Sequence, residues 1–158
     1  MRNKFIYNTP IGKLVIFENG KAITNLDFYE NKSTLTGIAC EIKETALLKS
    51  AAMQLKEYFE GQRTQFDLPL EPAGTDFQKA VWQALVGIPY GETRTYKEIA
   101  TTIACPKACR AVGMANNKNP IAIIIPCHRV IGSNGKLVGY AGGLDIKEKL
   151  LELEQLPN

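Results

Sequence analysis

The residues best equipped for chemistry are consecutive: Cys127, His128 and Arg129, at the end of the apolar run Ile121-Ala-Ile-Ile-Ile-Pro126. His128 is the only histidine in the 158-residue chain, and it directly follows one of just four cysteines. A thiol attacks carbon as its thiolate, and a neighbouring imidazole or fixed cation favours that form. Nucleophilic displacement by sulfur is the chemistry this triplet could do. The competing reading is inert packing, because free cysteine is among the most buried residue types. Sequence neighbours in a strand point to opposite faces, so a Cys127–His128 hydrogen bond requires the strand to end there. Pro126 supplies an end, since it cannot donate to a central ladder. The expectation is an apolar strand that finishes on a Pro-Cys-His-Arg turn.

Composition sets bounds around that site. At 45% hydrophobic the chain can bury one core or two small ones. No apolar run follows the opening Met-Arg-Asn-Lys, so neither a signal peptide nor a membrane span is expected. Unevenly spaced cysteines without a secretory signal point to reduced thiols and a cytoplasmic protein. Cys105 and Cys109 with a single histidine do not complete a tetrahedral set, so no metal is expected. A net charge of +3 is too mild to establish nucleic-acid binding. Its distribution says more: between residues 97 and 118 stand Lys97, Lys107, Arg110 and Lys118 against the single acid Glu98. Such a stripe can face phosphates or simply water.

The elements that hold the triplet are outlined by punctuation. Apolar runs at residues 4–7, 14–17 and 23–26 are separated by Gly12 and by Asn19-Gly20, a two-residue hairpin signal, and predict a small antiparallel sheet. Over residues 44–59, Leu47, Leu48, Ala51, Ala52, Leu55, Tyr58 and Phe59 repeat at helical spacing, and Gly61 fits the stop. Residues 62–74 hold two prolines and no clear period; they read as a linker with a domain boundary. Thr75-Asp-Phe-Gln78 and Thr95-Tyr-Lys-Glu98 are capping boxes that open two helices. Pro106 suits the first position of a third helix running to about Ala115, and the last two together resemble a helix-turn-helix. In that third helix Ala108, Val112 and Ala115 share one face, with Lys107, Arg110, Met114 and Asn117 opposite. Beyond the Cys-His-Arg turn come a strand at Val130-Ile131, a hairpin turn at Ser133-Asn134-Gly135 and the glycine-rich loop Gly139-Tyr-Ala-Gly-Gly143. Asp145-Ile-Lys-Glu148 reads as a third capping box opening a terminal helix.

Several of these motifs stand together in one order: Gly74-Thr-Asp-Phe-Gln78, Ile88-Pro-Tyr-Gly-Glu-Thr93, Tyr96, Pro106-Lys-Ala-Cys-Arg-Ala-Val-Gly113, Asn119-Pro120, Ile125-Pro-Cys-His-Arg-Val130 and Gly139-Tyr-Ala-Gly-Gly-Leu144. As a set they resemble the O6-alkylguanine-DNA alkyltransferases, the methylated-DNA–protein-cysteine methyltransferases. The resemblance is dense over residues 75–154 and weaker before them. It implies an α+β protein. Residues 1–70 would form a small ribonuclease-H-like α/β domain. Residues 71–158 would form a mostly helical catalytic domain with a helix-turn-helix and a short active-site sheet.

The activity it implies is DNA repair by stoichiometric, irreversible transfer of an alkyl group from O6 of guanine to Cys127, after the nucleotide is flipped from the duplex. His128 would draw off the thiol proton through water, Glu154 would orient that imidazole, and Asn119 would brace the active-site segment. Tyr96 would donate a proton toward guanine N3. Arg110 would fill the place of the flipped base, with Lys107, Thr95, Ala111, Asn117 and Arg129 also on the DNA. Tyr140, Val130, Ala141, Asn116 and Val138 would form the base pocket, with the Cys127 and Val130 carbonyls accepting from the guanine amino group. Double-stranded DNA would be met in its minor groove by a monomer, with no membrane and no cofactor, because the thiol is itself the group carrier.

Three departures from the family pattern stand out: Ala141 where some members carry serine, Asn117 at a turn position often held by glycine, and Cys109 in place of a small apolar residue. Three rival readings remain at this stage. They are a lesion binder that does not react (though such proteins replace the acceptor cysteine), a turnover thiol hydrolase, and a plain helix-turn-helix regulator.

Overall fold

The computed structural model describes residues 2–30, 39–135, 137, 139, 140 and 142–155, so the expectations for Val138 and Ala141 lie outside the described residues. The alternating runs near the start do form a sheet: β1 (Asn3–Thr9), β2 (Gly12–Glu18), β3 (Ile23–Phe28) and β4 (Glu41–Ile42), in the order β3-β2-β1-β4. β1/β2 and β2/β3 are antiparallel, whereas β4 joins β1 in parallel. The central β2 buries Leu14, Val15, Ile16 and Phe17 almost completely, which is why it reads as a continuous apolar run rather than an alternation. Helix α1 (Ala46–Phe59) packs across β1 and β2. It stops as expected: Gly61 takes φ +75°, and the Gly61 and Gln62 amides return to the Tyr58 and Glu57 carbonyls.

Two local expectations in this unit need correction. Asn19-Gly20 does not close a two-residue hairpin; residues 19–22 form a longer loop, with the Asn19 side-chain oxygen accepting from the Lys21 and Ala22 amides. The two-residue turn is Pro10-Ile11, where Thr9 faces Gly12. Residues 62–72 are not a free linker either. Pro69 and Glu71 bond the Ile23 backbone at 2.8 Å each, and the Gln54 amide grips Asp67 from both sides. The prolines hide this from periodicity because a segment pinned at isolated bonds need not alternate. The chain divides between Pro72 and Ala73.

In the second unit both early capping boxes form, opening α2 (Asp76–Val86) and α3 (Tyr96–Thr102). Helix α4 (Cys109–Asn117) begins later than expected. Pro106 and Lys107 lie in a turn before it, closed by Ala108 N to Cys105 O at 2.9 Å. The α2, α3 and α4 helices pack on one another, and Trp82 Nε1 donates to the Ala115 carbonyl at 2.9 Å. A two-residue parallel ladder pairs β5 (Arg94–Thr95) with β6 (Val130–Ile131). Gly135 closes the 132–135 turn at φ +79°, without a returning strand among the described residues. The terminal helix α5 (Leu144–Gln155) starts before Asp145, so Asp145 sits in its first turn and is not the cap of a capping box. No helix among the described residues is long and apolar enough to cross a membrane.

Candidate active site

The run Ile121–Ile125 is fully buried, yet it is not the expected strand. It coils: Ile124 N bonds Ala122 O at 2.8 Å, Ile125 N bonds Ile121 O at 3.0 Å, and Ile123 takes φ +70°. Asn119 replaces the ladder. Its Nδ2 donates to the Ile125 carbonyl at 2.8 Å while its Oδ1 accepts from the Ile121 amide at 3.0 Å. A β-branched residue in the left-handed region costs on the order of 1–3 kcal/mol, which the surrounding packing must over-determine. The expectation failed because a short apolar run buried on all sides has no period to distinguish strand from coil. A single 3-10 turn, Cys127–Arg129, follows Pro126 and brings His128 and Arg129 onto one carboxylate, Glu154.

Cys127 is 5% exposed, and burial pushes its thiol up to about 11, against the downward pull of Asn119 and the Lys147 ammonium. An unaided thiolate is therefore scarce at neutral pH, and the site needs a base. His128 is completely buried, and its Nε2 lies 2.7 Å from Glu154 Oε2. Burial would raise Glu154, but hydrogen bonds from His128 and Arg129 outweigh it and hold the carboxyl at about 2. A carboxylate only accepts, so the His128 proton sits on Nε2. Burial chiefly, with the Arg129 and Lys147 charges adding to it, lowers His128 despite the raising effect of Glu154. The imidazole is thus neutral with Nδ1 as its bare acceptor, and that Nδ1 makes no hydrogen bond among the described residues.

Arg129 supplies the largest correction to the sequence reading. It was expected on DNA, but it is 6% exposed and turned inward. Its Nε and Nη2 grip Glu154 at 2.8 and 2.9 Å, and Nη1 donates to the Ile88 carbonyl at 2.8 Å. Its cation holds the carboxylate that orients His128. Lys147, which the sequence reading missed, is fully buried and donates through Nζ to the Val130 carbonyl at 2.6 Å and to the Gly139 carbonyl at 3.4 Å. Burial lowers it to about 8, against the raising effect of Cys127. The signal was available: Lys147, Leu150 and Glu154 fall on one face of α5, and all three are buried.

The chain that carries this buried thiol, histidine and charge-locked carboxylate is similar to known proteins along most of its length. The 6-O-methylguanine DNA methyltransferase DNA binding domain matches residues 76–156, and the ribonuclease-like domain of the same family matches residues 4–72. The chain belongs to this methyltransferase family. The methylated-DNA–protein-cysteine methyltransferase of Methanosarcina barkeri is 59% identical over 150 residues, 95% of each chain. That of Bacillus subtilis, described as constitutive, is 49% identical over 154 residues, 94% of this chain and 92% of its own. A crystal structure of Mycobacterium tuberculosis OGT in complex with DNA superposes with a TM-score of 0.89 at 50% identity, covering 97% of this chain and 92% of that one.

Within this methyltransferase chain the remaining expected residues fall into two groups. Tyr96 is half-buried close to Cys127; burial and then the thiol raise its phenol, so it stays protonated. Asn116 is buried and its Nδ2 faces the Cys127 carbonyl at 3.4 Å. Val130 is buried and Tyr140 half-buried. The second group is on the surface of α4 and before it: Lys107, Arg110, Ala111 and Asn117 are exposed. The Asn117 side chain lies against Gly139, where a Cβ would come within 3.1 Å of it, so glycine at φ +56° lets the Tyr140 loop approach α4. Thr95 serves α3 as its N-cap, with its hydroxyl accepting from the Glu98 amide. Both carbonyls expected to meet guanine already hold donors: Cys127 accepts from the Val130 amide and from Asn116 Nδ2, and Val130 accepts from Lys147 Nζ.

Proposed function

We propose that this chain repairs duplex DNA by moving the alkyl group of O6-alkylguanine onto its own Cys127, once per molecule. The observation that carries this reading is the Cys127–His128–Glu154 arrangement, in which a raised thiol sits beside a histidine whose free nitrogen can accept a proton. In the reaction His128 Nδ1 takes the thiol proton through water, Sγ attacks the alkyl carbon, and the carbon–O6 bond breaks. Tyr96, protonated, donates toward N3 of the departing base. A thioether has no carbonyl for water to attack and a poor leaving group, which argues for a stoichiometric outcome over a turnover hydrolase. A plain regulator leaves the buried Arg129–Glu154–His128 chain without a purpose.

The DNA side of the proposal rests on α4. Arg110 and Ala111 at its exposed N-terminal end suit entry to the minor groove, with Arg110 occupying the gap left by the flipped nucleotide and Lys107 and Asn117 alongside. Tyr140 stacks on the extruded base, and Val130, Ala141, Val138 and Asn116 complete the pocket. Arg129 is left out of the DNA contacts. The protein acts as a cytoplasmic monomer. Intact mass after incubation with an oligonucleotide carrying O6-methylguanine tests the reading. A gain of about 14 Da confined to Cys127 and saturating at one per chain is expected. Tight binding with no gain would replace it with lesion recognition alone.

A further inference from the structure

Two buried polar atoms beside Cys127 make no hydrogen bond among the described residues: Asn116 Oδ1 and His128 Nδ1. Both residues are essentially sealed, at 1% and 0% exposure. Their chemistry is the same. The Asn116 amide is oriented by the Cys127 carbonyl, which can only accept, so Nδ2 must face it at 3.4 Å and Oδ1 points elsewhere as an acceptor. His128 carries its proton on the Nε2 facing Glu154, so Nδ1 is an acceptor too. Buried acceptors left unsatisfied are costly, and native interiors rarely keep them without a donor. The third group at this place is the Cys127 thiol, a donor.

We infer that Asn116 is a positioning residue for the transfer, holding through Oδ1 the water that relays the Cys127 proton to His128. This inference rests on the alkyl-transfer reading above and deepens it. One water matches the three groups without remainder. It donates one hydrogen to Asn116 Oδ1 and the other to His128 Nδ1, and it accepts from the Cys127 thiol, within the range of partners buried waters make. The step then balances. The S–H bond breaks and its proton joins the water. The water passes its other proton to Nδ1, giving an imidazolium whose Nε2–H remains on Glu154. The sulfur lone pair forms the bond to the alkyl carbon as the carbon–O6 pair leaves with guanine. The Asn116 carbonyl faces the water while positive charge passes through it, and it fixes the water so that its second hydrogen is aimed at Nδ1. The same amide steadies the backbone of Cys127, so one side chain aligns both ends of the relay.

Burial first, then Glu154 and Lys147 from α5 and Arg129 from its own turn, set the pH response of His128, and Asn116 adds no charge to them. Asn116→Leu, of similar size, and Asn116→Ala should slow both methyl transfer from the duplex and capture of Cys127 by iodoacetamide about tenfold at pH 7. The deficit should shrink between pH 7 and 9.5, as hydroxide takes over removal of the thiol proton. A deficit equal at every pH would overturn the relay role and leave Asn116 a wall of the base pocket; unchanged rates at pH 7 would overturn it as well. If the Leu variant does not fold, the Ala variant decides. Iodoacetamide capture needs no DNA, so it tests Asn116 even if wild-type protein takes no methyl group, an outcome that would instead refute the transfer reading.

Discussion

Replacing Arg129 by Met removes a buried cation while keeping most of its volume. The guanidinium side chain is 7% exposed and that of Glu154 1%, so neither charge recovers much hydration when the other is lost. Breaking such a pair from one side costs about 3–5 kcal/mol, because the surviving carboxylate stays buried. Two further losses add to it: the Ile88 carbonyl loses its donor, and the cation leaves the face of Tyr90, whose ring centroid lies 5.7 Å away. One effect relieves it, since Glu154 without Arg129 draws a proton onto His128. The expectation stays at about 3–5 kcal/mol, a large share of the ordinary stability of a domain. Urea unfolding followed by Trp82 measures it. Trp82 is the only tryptophan, 2% exposed, and reports on the unit that contains Arg129. Duplex affinity read against salt should keep its wild-type slope. If Arg129 met a phosphate, as the sequence reading expected, stability would change by less than about 0.5 kcal/mol and the slope would fall by about 1. That pair of results would refute the inward role.

Acid should attack the same cluster. Glu154 is held at about 2 against an ordinary 4.5, so its stabilisation, about 3 kcal/mol, is complete above 4.5 and is lost as pH falls toward 2. His128, depressed from 6.5 by burial, subtracts in the same direction once pH drops below 6.5. The urea midpoint should therefore fall from pH 6.5 downward and steepen below 4.5, and in Glu154→Gln the steep part should vanish. Lys147→Met removes the cation facing Cys127 and should slow iodoacetamide capture several-fold at about pH 7, where Lys147 is mostly charged; an equal rate would dismiss the electrostatic link. Arg110→Ala should slow repair of duplex DNA far more than reaction with the free base O6-methylguanine, and equal slowing would remove Arg110 from the role of base substitute.

Local chemistry was legible without coordinates. A lone histidine beside a cysteine marked where a nucleophile could be, and Thr75 and Thr95 announced two helix starts, because a cap needs only a residue three positions on. Gly61 announced a helix end for the same reason. What failed was everything decided by a partner far along the chain. Ile121–Ile125 looks like a strand until Asn119 takes the bonds a neighbouring strand would have taken. The segment after Gln62 looks free until Ile23 holds it.

The active site divides in the same way. Composition and spacing put a cysteine next to the lone histidine and a basic stripe before them, and the ordered motifs that resemble the family weighed against inert packing. Nothing in the sequence around Arg129 distinguishes a phosphate contact from a buried ion pair; the packing of α5 made the choice by placing Glu154, 25 positions away, within 2.8 Å. The same helix turned Lys147, an ordinary lysine by sequence, into the cation that faces the thiol. Type and local order set which groups can react. Only the long-range burial of tertiary structure sets their charge states, because desolvation and buried partners fix which protons they keep.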